Sequence, residues 1–174
     1  MAYSTTLPKD SLLQAYVADK DHLDVFCASL DDRPDLLTCD IRALADRVLK
    51  ADVPWVEKLM GLRDAIAKPF GLKTAADMTG GTEQRDVSEL EVGDRIGFFK
   101  IYAISENEII LGENDWHQDF RISILRVSDA DGAKVYAATC CRRHNLAGHA
   151  YLALIMPFHK RIVMTFLDRA VSPL

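Results

Sequence analysis

Along the chain, stretches whose apolar positions repeat every second residue give way to stretches where they repeat every three to four. His22 to Leu30 places Leu23, Val25 and Cys27 on one side and Asp24 and Phe26 on the other, the period of a strand. Asp31-Asp-Arg-Pro34 breaks it. Asp40 is a candidate N-cap for a helix whose apolar positions Ile41, Leu44, Val48 and Leu49 recur at helical spacing and fade near Lys50. A second helix is predicted from Asp52 and Pro54 through Trp55, Leu59, Leu62 and Ile66, stopped by Pro69 and Gly71. Before the first strand, residues 1–20 read as an arm with one helical turn around Leu12, Leu13 and Tyr16. Residues 73–92, with Gly80-Gly81 and little periodicity, read as a mobile loop or lid beside an entrance to the interior.

Beyond Asp94 the pattern predicts four strands, over residues 95–104, 108–113, 117–128 and 133–144. Glu106-Asn107, Asn114-Asp115 and Asp129-Ala-Asp-Gly132 supply the turns between them. The last element is a helix over residues 146–169 with Asn145 as its N-cap, kinked at Pro157. Its main apolar stripe is read as Tyr151, Ile155, Phe158, Ile162 and Phe166. One strand, two helices, a meander and a long helix make a segregated α+β chain, a single helix-grip domain over residues 1–174. An antiparallel β-sheet would wrap on the long C-terminal helix, with two shorter helices after the first strand.

Composition narrows the partners. The chain has 174 residues, 49% of them hydrophobic, and 21 basic against 26 acidic residues give a net charge of -5. That balance argues against a nucleic-acid surface and against anionic lipid. The unbroken apolar run from Ala150 to Phe158 is about half of what crosses a bilayer, so no membrane span is expected. Cys27, Cys39, Cys140 and Cys141 show no zinc or disulfide spacing, and the N-terminus does not read as a secretory signal. A cytoplasmic protein with reduced thiols is the expectation, and a homodimer stays open.

Several separated segments look familiar. They are Trp55 to Leu72 (WVEKLMGLRDAIAKPFGL), Gly93-Asp-Arg-Ile-Gly-Phe-Phe99, Leu111-Gly-Glu-Asn-Asp-Trp-His117 running into Phe120-Arg121, His144-Asn145 before Gly148 and Tyr151, and Pro157-Phe158-His159. Over roughly residues 20–170 the set resembles the bacterial family called domain of unknown function 2867. The resemblance implies the START and birch-pollen-allergen-like helix-grip superfamily (SRPBCC), whose members hold apolar ligands between a curved sheet and a long C-terminal helix. Lipid carriers, receptors and polyketide cyclases share that fold, so the fold alone does not choose a function.

Candidate chemistry follows from the last hairpin. If Asp129 to Gly132 closes it, cross-strand partners sum to 261 and His117 faces His144. One face then carries His117, Asp119, Arg121 and Ser123, and the other, apolar face carries Phe120, Ile122 and Ile124 and meets the helix. The polar face is expected to be solvated. At its end, His117 and His144 are candidate proton-transfer groups, Asp115 an orienting carboxylate and Arg121 an anion holder. Arg63, Trp55, Phe70, Phe99, Tyr151 and Phe158 are candidate ligand-lining residues. No metal is assigned and no cofactor is implied. The expectation is a binding protein for a small, mainly apolar or amphipathic molecule between sheet and helix. The alternatives are a cyclase- or dehydratase-like enzyme using the His/Asp/Arg cluster, and a structural or oligomerising module.

Overall fold

A computed structural model describes residues 1–18, 22–50, 85–97 and 99–172. The second predicted helix, with Trp55, Arg63 and Phe70, and residues 73–84 of the predicted loop lie outside the described residues. The elements are β1 (Tyr3–Ser4), a 3-10 turn (Leu12–Tyr16), β2 (His22–Ser29), α1 (Pro34–Thr38), α2 (Ile41–Leu49), a 3-10 turn (Val87–Glu89), β3 (Arg95–Ile96), β4 (Phe99–Ile104), β5 (Glu108–Asn114), β6 (Gln118–Asp129), β7 (Gly132–Arg143) and α3 (Leu146–Val171). The strands form one antiparallel sheet in the order β1-β2-β7-β6-β5-β4-β3, with α3 laid across it, a helix-grip arrangement.

Local chemistry accounts for most element ends. The Asp40 side chain accepts from the Arg42 backbone N–H at the start of α2, and Asn145 accepts from Gly148 N–H at the start of α3. The β6–β7 hairpin has the predicted register, from Gln118 opposite Arg143 to Asp129 opposite Gly132, whose φ of 103° suits a glycine. Residues 95–104 are not one strand. The chain reverses at Gly97, with φ of 60°, so Arg95–Ile96 folds back on Phe99–Lys100. A left-handed glycine leaves little trace in an apolar stretch such as Ile96 to Phe99.

Both faces of the sheet are covered. On one face the main core unites Phe26, Ile101, Ile109, Leu111, Ile124 and Val135 with Leu44 of α2 and Leu167 of α3. On the other, Leu13 packs against Val25, Ile110, Ala138 and Cys140 in a second, smaller cluster. The expectation of a solvated second face is therefore corrected, because the N-terminal arm lies over it. A buried carboxylate fastens the arm. Glu108 accepts from the hydroxyls of Ser11 (2.7 Å) and Ser123 (2.5 Å) and from the Leu12 backbone N–H (2.6 Å). Three donors offset the cost of burying that charge.

Helix α3 is oriented differently from its predicted stripe. Its buried residues are Gly148, Leu152, Leu167 and Ala170, with Val163 and Met164 packed on the main core, while Phe158 is 48% exposed. The helix is apolar on nearly every side, so periodicity alone does not select the buried face. Gly148 does: a Cβ there would overlap the His117 carbonyl oxygen, so only this rotation lets the helix approach. Length and composition would also let α3 cross a membrane. At its C-terminal end the Ala170 carbonyl accepts from Arg33 (3.1 Å) and Arg47 (2.7 Å), and Ser172 O accepts from Arg33 (2.6 Å). Cations there complement the helix dipole.

Residues 85–92, the described part of the predicted loop, are built into the fold. Asp86 caps the 3-10 turn, Leu90 is buried, and its carbonyl accepts from Arg42 Nε at 2.6 Å.

Candidate functional site

The helix-facing side of the sheet changes character along α3. Toward the C-terminal half it is apolar. Toward the N-terminal half the register lines up His22, Cys141, Phe120 and Glu113 across β2, β7, β6 and β5, with Asp24 and Thr139 one row below and Gln118 one row above. Asp24, Thr139, Gln118 and Glu113 are all buried. At about 4.8 Å per strand, His22 and Phe120 stand roughly 10 Å apart across the sheet. Phe99 joins this surface by an edge-to-face contact with Phe120, ring centres 5.8 Å apart.

Most of the polar groups here have partners. Glu113 receives Arg95 Nη2 at 2.7 Å. His22 Nε2 stands 2.9 Å from Asp24 Oδ2; a carboxylate oxygen only accepts, so the proton sits on Nε2 and the tautomer is fixed. Lys160 Nζ of α3 lies 3.8 Å from the other Asp24 oxygen. Between Leu152 and Val163 on the inward side of α3 comes His159. Burial is the largest influence on it and holds its imidazole below the usual histidine pKa; Asp24 pulls the other way, and His22 and Lys160 lower it further. Among the described residues no side-chain hydrogen bond is made by His159. Gln118 is 7% exposed, and its Oε1 meets no donor among those residues.

The predicted cluster divides. His117 and His144 are neighbours through the backbone, His144 N–H donating to His117 O at 3.0 Å, as the register required. Their rings have different surroundings. His117 is buried edge-on against Tyr151 of α3 (ring centres 5.1 Å apart), with Nδ1 3.5 Å from Asp115 Oδ2. His144 is part exposed and pairs with Asp119 at 3.2 Å, a residue the register placed on the polar face without a role. Arg121 is on the arm-covered face, its guanidinium 3.7 Å over the Tyr102 ring with Tyr16 also near, and it donates to Phe120 O and Asn114 Oδ1. Tyr102 and Ala103 both point to that face because a bulge interrupts β4 after Ile101. The guanidinium of Arg121 is thus committed to Tyr102, Phe120 O and Asn114, on the same face as Asp119. Of the predicted lining residues described, Phe99 and Tyr151 face this region, and Phe158 is on the outside.

The sequence pattern did not signal His22, Asp24 or His159. A strand face carrying His and Asp reads as solvated, and a lone His in an apolar helix reads as core. The Pro157-Phe158-His159 segment was noticed only as part of a family resemblance.

Residues 16–166 match the model of a family described as protein of unknown function, DUF2867. The chain belongs to that family. No curated protein and no solved structure matches it.

Proposed function

We propose that this DUF2867 protein binds a small amphipathic molecule between the sheet and the N-terminal half of α3. The observation that carries the reading is Gln118. A buried amide oxygen without a donor costs about 1–3 kcal/mol, and proteins keep such groups where a ligand or water completes them. His159, largely buried and making no side-chain hydrogen bond among the described residues, adds a second polar group on the same surface. Phe99, Phe120 and Leu152 offer an apolar body beside them. The ligand therefore carries an apolar skeleton and at least one hydrogen-bond donor, and is less apolar than the sequence pattern led us to expect. The helix-grip arrangement supports setting the family beside the START-like superfamily, where ligands occupy this same gap. Four cysteines without a disulfide suit a reducing cytoplasm.

The test compares 4-propylphenol with propylbenzene, which differ by one hydroxyl, by isothermal titration calorimetry. The phenol is expected to bind the native protein about tenfold tighter or more, and that gap should close in Gln118→Leu. Equal affinities for the native protein, or no binding of either, would overturn the reading.

A further inference from the structure

The groups at the β2 edge of this surface are arranged for proton transfer. His22 is oriented as bases in catalytic dyads are: its Nε2–H donates to a carboxylate, which leaves the lone pair on Nδ1. His159 approaches from α3, near enough for Asp24 and His22 to act on its ring. The remaining charged group in contact is Lys160, which extends toward the far Asp24 oxygen and is largely solvent-exposed. Thr139 and Cys141, the strand partners of Asp24 and His22, complete the floor.

Resting on the binding reading above, we infer that this site enolises a bound carbonyl compound, with His22 as the base, Asp24 as its positioning residue and the N–H of His159 as donor to the carbonyl oxygen. His22 Nδ1 takes a proton from the carbon next to the carbonyl. The C–H electron pair becomes the carbon–carbon double bond, and the carbonyl pair moves onto oxygen, where the His159 N–H holds it. Burial favours the neutral form of His159, and a neutral imidazole serves as a hydrogen-bond electrophile for an enolate. Return of a proton from His22 to the same carbon restores the ketone, so no oxidant or reductant is needed. His22 is part exposed, and its Nδ1 proton exchanges with water between the two steps.

The probe is 4-(4-hydroxyphenyl)butan-2-one. Its phenol suits Gln118, and its ketone lies at the opposite end of a molecule about as long as the roughly 10 Å between strands β2 and β6. Saturation-transfer NMR reports binding, and deuterium entering the carbons beside the carbonyl in D2O reports chemistry on the same sample. Native protein is expected to accelerate exchange at least about a hundredfold over buffer, within the range of a positioned general base. His22→Gln should bind the probe and return exchange to the buffer rate. Asp24→Asn, which keeps the shape of the site, should slow exchange while leaving the affinity for the probe unchanged, because His22 loses the carboxylate that holds its ring and fixes its tautomer. A purely structural Asp24 would change binding and exchange together. Probe that binds but exchanges at the buffer rate, or full exchange in His22→Gln, overturns the proton-transfer assignment and leaves the binding reading standing. A probe that fails to bind overturns the reading on which the assignment rests.

Discussion

The two halves of helix α3 meet the same sheet under different terms. The C-terminal half sets Val163, Met164, Leu167 and Ala170 into a continuous apolar core, and two guanidinium groups close its end. The N-terminal half lies over Asp24, His22, Gln118 and Thr139 and brings His159 with it. Apolar contact is non-directional and tolerates any ligand-free interior, so the first half holds the fold. Buried polar groups stabilise only when every partner is present, so the second half leaves stability unclaimed where its partners are missing. A helix anchored at one end and loosely satisfied at the other concentrates binding at the weaker end.

The sharpest way to break this contrast is Leu167→Ala. With the side chain fully buried, truncation is expected to cost about 2–5 kcal/mol in urea unfolding, with little change in 4-propylphenol affinity for the folded fraction. A loss below about 1 kcal/mol would mean that the apolar half is not the anchor. Gly148→Ala, next in size, forces a methyl group against the His117 carbonyl and is expected to cost about 1–3 kcal/mol. Because this contact sets the rotation of the helix, it should also weaken ligand binding, which Leu167→Ala does not. Stability unchanged in Gly148→Ala would show that the close approach is not required.

Acid tests the polar half alone. His159 has a lowered pKa in the folded protein, so between that value and the ordinary one the unfolded chain binds more protons. Its contribution is thus full above the unfolded value and declines as the pH falls from about 7 toward 5. Unfolding curves at several pH values should lose that component in His159→Leu, and an unaltered pH dependence would contradict the burial of this ring. Gln118→Leu should have the smallest effect on stability, between no change and a gain of up to about 1 kcal/mol, since it removes an unsatisfied oxygen without removing a hydrogen bond. A loss of more than about 1 kcal/mol would mean that Gln118 serves the fold.

The sequence disclosed those parts whose cause is local. Asp129 to Gly132 fixed the register of the longest hairpin, and Asp40 and Asn145 marked the starts of two helices, because turn and cap chemistry act within a few residues. The orientation of α3 was illegible. A helix apolar all round has no preferred side until Gly148 meets a carbonyl thirty-one positions earlier in the chain. The site was misplaced for a related reason. Asp24 and Ser123 stand on opposite faces of the sheet; the Ser123 face reads as polar and therefore wet, while Asp24 lies on the face that reads as apolar, and a helix buries one and the arm buries the other. The His117–His144 backbone pair was legible because it follows from register, and the Asp115–His117 proximity because the two residues share one short turn.

The carboxylate of Glu108 also constrains the order of events as the chain is made. Ser11 and Leu12 leave the ribosome long before the carboxylate that receives them, and Ser123, the third donor, follows later still. Strand β2 likewise waits for β7, more than a hundred residues downstream, before its inner edge is paired. The arm and β2 therefore wait while the strands between them and β7 are made, and the sheet closes only when β7 arrives between β2 and β6. Such long-range closure is slow, so the arm, although translated ahead of the strands it covers, comes to rest only after them.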